Sequence, residues 1–292
     1  MKNKVKEFLE WKGTYAPRAS VNYKIWLERF IQICGEKEVE AYTVTDLVQY
    51  HKKIELRFSP YTVQFAMIVV KNFFNYCRNN NLQCLAPWLI KTPRIDAKSH
   101  RAVTEEEYLK MIAGIPENEF VFLRDLILIR LLWDTGVRVS ELCDLNTSDI
   151  DPKKLSAIIK TKKTGRPRVI VWSDETHRLL IKYFGIREEL ERTNGSSALF
   201  IGQAGNGQWS NRMSRRTAQR VVKSYAKKAG ITAKVTPHSF RHGWAHKRRD
   251  QNAPLAFIQK GLGHINPIST FIYEQYNDIE FETNAKSYLL NV

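Results

Sequence analysis

No apolar run in this 292-residue chain approaches the roughly 18 to 20 residues that a membrane span needs. The opening MKNKVKEFLEWKG is charged throughout and has no apolar stretch of the signal-peptide kind. Both shortages lead us to expect a cytoplasmic protein with no membrane partner. Cysteine is scarce too: Cys34, Cys77, Cys84 and Cys143 form no C-x-x-C pair. That pattern excludes a disulfide framework and a zinc ribbon, and leaves reduced core thiols. Carboxylates never gather in the pattern that holds a divalent ion, so no metal and no other cofactor is expected. There is no internal repeat and no low-complexity segment.

What the chain does have is positive charge. The net formal charge is +16. Residues 1–100 carry 16 Lys and Arg against 9 Asp and Glu, and residues 101–292 carry 30 against 21. A basic excess spread over the whole chain suits a body that holds a polyanion better than it suits a basic tail.

Residues 1–84 contain two glycines, Gly13 and Gly35, and read as successive helical periods. SVNYKIWLERFIQIC is expected to start at a Ser20 cap, with Val21, Ile25, Trp26, Phe30 and Ile31 on one stripe. SPYTVQFAMIVVKNFFNYCRNN starts from Ser59-Pro60. This predicts a helical domain of about four helices over 1–84. The stretch 85–102, with Pro87, Pro93 and little periodicity, reads as a linker. In 103–292, Thr104 and Glu107 form a capping box, and FVFLRDLILIRLLWDTG is apolar nearly all round, as a central helix would be. LSAIIKTKKTGRPRVIVW is the one clear strand signal, a hairpin. Helices follow over 174–192, 212–229, 237–251, 254–262 and 268–276. The fold class is therefore mainly α: a helical N-terminal domain, then a mixed α/β domain that is mostly helical with a small hairpin.

Four stretches carry candidate chemistry. In DTGVRVSELCDL, Arg138 follows a buried helix; its planar fork of donors matches a phosphate, or else pairs with Glu141 or Asp144. In KTKKTGRPR, Lys163 sits in a hairpin turn and can deliver a proton if its cationic neighbours lower its pKa. The same loop can instead be a set of solvated cations, Lys162, Arg166 and Arg168 among them, touching phosphates. In TPHSFRHGWAHKRR, His238 and Arg241 lie three apart at a helix start, a ready anion site. His238, His242 and His246 also have ligand-compatible spacing, but Arg241 and Lys247-Arg248-Arg249 crowd any dication. In GLGHINPISTFIYEQY, His264 stands at a glycine turn, with Tyr273 nine residues on and Tyr276 three further. A phenol, with a pKa of about 10, attacks only with a proton acceptor and a neutralised electrophile; otherwise both tyrosines simply pack.

Jointly, two arginines, a lysine, two histidines and a tyrosine without an acidic metal cluster suit phosphoryl transfer to a protein nucleophile. Cations stabilise the phosphorane, a lysine protonates the leaving 5′ oxygen and a tyrosine takes the 3′ phosphate. The covalent link conserves the phosphodiester energy, so rejoining needs no ATP.

The order and spacing of these motifs resemble the tyrosine recombinase (phage integrase) family, of integrase or Xer type. The resemblance covers the whole chain, and its helical N-terminal domain would be the core-binding domain. It implies that Arg138 and Arg241 clamp the scissile phosphate and that Lys163, chosen over Lys160 and Lys162, is the general acid. His238 would receive the tyrosine proton, His264 would be a further phosphate donor, Tyr273 the nucleophile, and Glu141 an orienter of the arginines. The family often has leucine where Gly261 stands, which would loosen that helix end. Its glycine cap is Asn252 here, and His246-Lys247 replaces a Thr-His pair. The resemblance further implies duplex DNA with a specific recombination site as partner, a nucleoid-associated location, and a monomer that forms a homotetramer in the synapse. Arg215, Arg216, Arg220 and Lys223, on the basic helix RMSRRTAQRVVKSYAKKAG, would contact DNA through base edges or phosphates alone. The tail DIEFETNAKSYLLNV would pack into a neighbouring subunit or fold back on its own domain. Two rivals share much of this pattern: a monomeric type IB topoisomerase-like relaxer, and a DNA-binding relative that has lost catalysis.

Overall fold

Two of the four α-helices in the first ninety residues start at proline, whose missing N–H costs nothing at the first helical position. These helices are Lys2–Tyr15 (α1), Pro17–Cys34 (α2), Val44–Glu55 (α3) and Pro60–Asn79 (α4). A computed structural model describes residues 1–93, 101–160, 167–203 and 209–273. The chain divides into two units, Met1–Lys98 and Ser99–Val292. In the first, Phe8, Phe30, Tyr50, Phe73 and Phe74 form a fully buried aromatic core. Helix α2 departs from expectation at its start. Pro17 begins it, three residues before Ser20, whose hydroxyl donates to the Leu9 carbonyl instead. Val21 and Ile25 consequently face outward, and Tyr23, Trp26, Leu27, Phe30 and Ile31 are the buried stripe. Pro87 and Ile90, expected in the linker, are buried, and Ile90 joins this core.

The second unit is built around α6 (Phe120–Thr135), which follows α5 (Glu105–Ile112). Thr104 and Glu107 close the capping box on α5 at 3.2 and 3.1 Å. Helix α6 is buried all round, its own Arg124 and Asp125 pairing at 2.7 Å inside the core. It ends at Gly136, in the left-handed region at φ +59°, where a Cβ would stand 2.9 Å from the Trp244 ring. Then come α7 (Val139–Asp144), β1 (Ile150–Asp151), β2 (Ser156–Lys160) and β3 (Pro167–Val171). The three strands form an antiparallel sheet in chain order, with Ile158 opposite Val169 and Lys160 opposite Pro167. The hairpin turn that carries Lys162, Lys163 and Arg166 lies outside the described residues.

Helix α8 (Asp174–Asn194) leads to a second hairpin, β4 (Ile201–Gln203) with β5 (Trp209–Arg212). The remaining elements are α9 (Arg215–Lys228), α10 (Pro237–Asp250), α11 (Leu255–Leu262) and α12 (Ile268–Phe271). Helix α10 packs on α6 and lies close against the chain entering α5. The Val103 N–H donates to the Ser239 carbonyl at 3.0 Å, and a Cβ on Gly243 would run into the Val103 carbonyl oxygen. Trp244, Ala245, Ile258, Leu262 and Tyr273 then form a small separate core between α10 and α11.

Candidate active site

Glu141 is the hub. It sits in the first turn of α7 with its side chain 4% exposed. Its carboxylate accepts the Arg138 backbone N–H at 3.0 Å and the Arg138 guanidinium at 3.1 Å. It also takes two bonds from Arg168 on β3, at 3.1 and 2.8 Å. Burial alone would push its pKa up, but these donors, Arg168 foremost, hold it down at about 2. Glu141 is therefore a fixed negative charge that orients two cations.

Arg168 was expected among the cations that touch DNA. It is instead 8% exposed, forked onto Glu141, with its Nε donating to the Gly261 carbonyl at 3.0 Å. The physical reason is strand alternation and charge: its partner Glu141 is already inside, and a buried carboxylate needs a buried cation.

Arg241, on α10, is 2% exposed. Its two terminal nitrogens donate to Gly136 at the end of α6 and to Leu262 at the end of α11, at 2.9 and 2.6 Å. Each terminal nitrogen has a second N–H for a ligand. Burial first, and Arg138 next, lower its pKa to about 9, so it stays cationic at neutral pH. Arg168 and Arg241 together occupy the carbonyl end of α11, where a helix leaves acceptors unpaired and favours cations. That grip fixes the turn carrying His264.

At that turn Gly263 takes φ +63°, beside Arg168. His264 follows, its Nδ1 2.8 Å from the Thr270 hydroxyl. Burial, then Arg241, Arg138 and Arg168, drive His264 down to about 4, so it is neutral at pH 7. Gly261, expected to loosen α11, does not leave a gap: the Trp244 indole lies where a Cβ would go. Asn252 adopts the left-handed conformation expected of it, at φ +56°.

Tyr273 follows α12 and is 3% exposed. Its hydroxyl is 2.8 Å from His242 Nδ1. Burial raises its pKa, while Arg241 and then Arg138 pull the other way. His238 stands exposed in the first turn of α10, its ring edge-on to His242 at 4.5 Å between centroids. Arg138, Arg241, His264, Tyr273 and His238 thus share one electrostatic environment, and Arg138, 36% exposed, is its accessible cation. Such a cluster can bind an anionic phosphate beside a tethered phenol.

Two residues of the cluster stand in places other than those expected of them. His242 touches the phenol, and its signal was the His238–His242–His246 stripe, weighed above as ligand spacing. Arg168 supports the hub, and its signal was its place inside a β-branched strand. Arg215, Arg216, Arg220 and Lys223 are exposed on α9, whose other face buries Ala218, Val221, Val222 and Tyr225. Tyr276 and the tail from 274 onward lie outside the described residues.

The model of the phage integrase family matches residues 101–280. Tyrosine recombinase XerA of Pyrococcus horikoshii is 31% identical over 86% of this chain and 80% of its own length. Tyrosine recombinase XerC of Roseiflexus castenholzii is 31% identical over 87% and 82%. Among solved structures, a post-cleavage complex of the XerH site-specific recombinase with a palindromic difH substrate superposes with TM-score 0.75. It is 19% identical and covers 97% of this chain and 84% of that one, a likeness of fold. The long matches to named relatives, together with the order of Arg138, His238, Arg241, His264 and Tyr273 around one site, place this chain in the phage integrase family of tyrosine recombinases.

Proposed function

We propose that this tyrosine site-specific recombinase breaks a DNA strand by attack of the Tyr273 hydroxyl on a phosphodiester, forming a 3′-phosphotyrosine, and rejoins it by the reverse attack of a 5′ hydroxyl. The observation that carries the assignment is the Tyr273 phenol, 3% exposed and seated against α10, the helix that carries Arg241, through a 2.8 Å contact with His242 Nδ1. As the P–O bond to tyrosine forms, the phenol proton leaves and the 5′ oxygen departs with a proton, so no bond energy is lost. Arg138 and Arg241 hold the non-bridging oxygens through fixed donors, which matter most as charge builds on the phosphorane. His264, neutral, donates a single N–H to the same group. His238, at the exposed helix start, receives the phenol proton, and Lys163 supplies the proton to the leaving oxygen. Glu141 and Arg168 keep the arginines in place.

The partner is duplex DNA with a specific recombination site. Arg215, Arg216, Arg220 and Lys223 form a row of exposed cations suited to its backbone, and Lys162 and Arg166 are assigned to the same partner. The helical unit serves as the core-binding domain, four copies assemble in the synapse, and the enzyme works at the nucleoid. Among the described residues no helix is long and apolar enough to cross a membrane.

A suicide duplex, nicked so that the 5′ end is lost after cleavage, tests the assignment. The wild type should accumulate a covalent protein–DNA complex and Tyr273→Phe none. Equal trapping by both overturns it.

A further inference from the structure

We infer that His242 is a positioning residue for the nucleophile, tying the Tyr273 hydroxyl to the same turn of α10 that carries Arg241. The inference rests on the reading of Tyr273 as nucleophile and adds to it a residue outside the clamp and the proton carriers.

The problem is local rigidity. Tyr273 follows α12, a helix of only four residues. A single turn has little stability of its own, because helix nucleation is unfavourable. Something outside α12 must therefore set where the phenol stands. Helix α10 is well suited to this, since it is wedged against α6 and the Val103 segment that enters α5 through Gly243 and Trp244. Residues four apart on a helix share a face, and His242 and His246 both turn to the tyrosine. The His242 ring lies 5.6 Å from the tyrosine ring at 51°, and the His246 ring 5.5 Å away at 89°. The two imidazoles wall the aromatic ring, and the 2.8 Å bond from His242 Nδ1 selects the position of the oxygen. Arg241, the next residue in sequence, is anchored from the same helix turn to Gly136 and Leu262. Phenol and phosphate clamp are thus referenced to one rigid element, and misplacement of about 1 Å can cost two orders of magnitude in rate.

His238 differs from His242 in place and in task. It is the exposed histidine at the helix start, packed edge-on against His242. A proton carrier must take up a proton; a positioning residue need only hold a hydrogen bond. Asparagine separates the two, because its amide reaches the place of Nδ1 and hydrogen-bonds there, yet accepts no proton at neutral pH.

The experiment is single-turnover cleavage of a nicked suicide duplex carrying the recombination site, with wild type, His242→Leu, His242→Asn and Tyr273→Phe. Loss of one such bond corresponds to about tenfold in rate. His242→Leu should cleave about tenfold more slowly at saturating DNA with unchanged DNA affinity, and His242→Asn should recover to within about threefold. The NMR signal of ¹³Cζ-labelled Tyr273, identified by its absence in Tyr273→Phe, should shift in His242→Leu and return in His242→Asn. Equal slowing in both histidine variants overturns the inference in favour of a proton carrier. An unchanged or faster His242→Leu also overturns it. If Tyr273→Phe still forms the covalent complex, the nucleophile assignment itself has failed; if it does not and His242→Leu is normal, only this inference has.

Discussion

Replacing Glu141 with glutamine removes the buried negative charge that Arg138 and Arg168 share. The carboxyl is held at about 2 against an ordinary 4.5, and each tenfold change in ionisation is worth about 1.4 kcal/mol. The stabilisation is therefore about 3 kcal/mol at neutral pH, in line with the roughly 3–5 kcal/mol lost when a buried pair loses one partner. Solvent screening takes little from the Arg168 half, since both side chains are under 10% exposed; the Arg138 half, at 36%, contributes less. The sign follows from a depressed acid: the stabilisation is fully present above pH 4.5 and is lost as pH falls toward about 2. Thermal unfolding of wild type and Glu141→Gln should differ by about 6–12 °C near pH 7, at roughly 2–4 °C per kcal/mol. The gap should close as the buffer is taken from pH 4.5 toward 2. A gap below about 1 kcal/mol, or one that does not change with pH, refutes the claim that Glu141 is the charged hub.

Arg168→Ala should slow covalent-complex formation strongly at saturating DNA while leaving the salt slope of DNA binding unchanged; filter binding across salt concentrations checks both. In contrast, alanine at any one of Arg215, Arg216, Arg220 or Lys223 should weaken binding and flatten that slope by roughly 0.9. Gly261→Leu, restoring the residue common in the family, should destabilise this chain by about 1–3 kcal/mol, because Trp244 already fills the space. Chemical denaturation with Trp244→Ala as background should show that penalty shrinking.

The central helix α6, the α5 cap and the β2–β3 hairpin were legible because each rests on local pattern: an apolar circumference, a Thr-x-x-Glu step, two β-branched runs around a turn. The site's charged residues were legible as an ordered set, since type and spacing survive in one dimension. The role of Arg168 was not. Its partner Glu141 is 27 positions away, and a lysine- and arginine-rich loop hides which cation turns inward. His242 was visible only as one member of a stripe whose partner, Tyr273, lies 31 residues on. Helix α2 was misread at its start because Ser20 offers a good cap, yet Pro17 offers a better first residue and Ser20 bonds to α1. The β4–β5 hairpin went unseen because strands of three and four residues carry almost no periodic signal.

The point of covalent attachment to DNA is the measurement that decides the role of Tyr273. The trapped complex should be digested with nuclease and protease, and the peptide bearing the residual 3′-phosphate sequenced by mass spectrometry. Tyr273 should carry the modification, with Tyr276 on the same peptide unmodified. A phosphate on Tyr276, or on any residue other than Tyr273, would contradict that assignment.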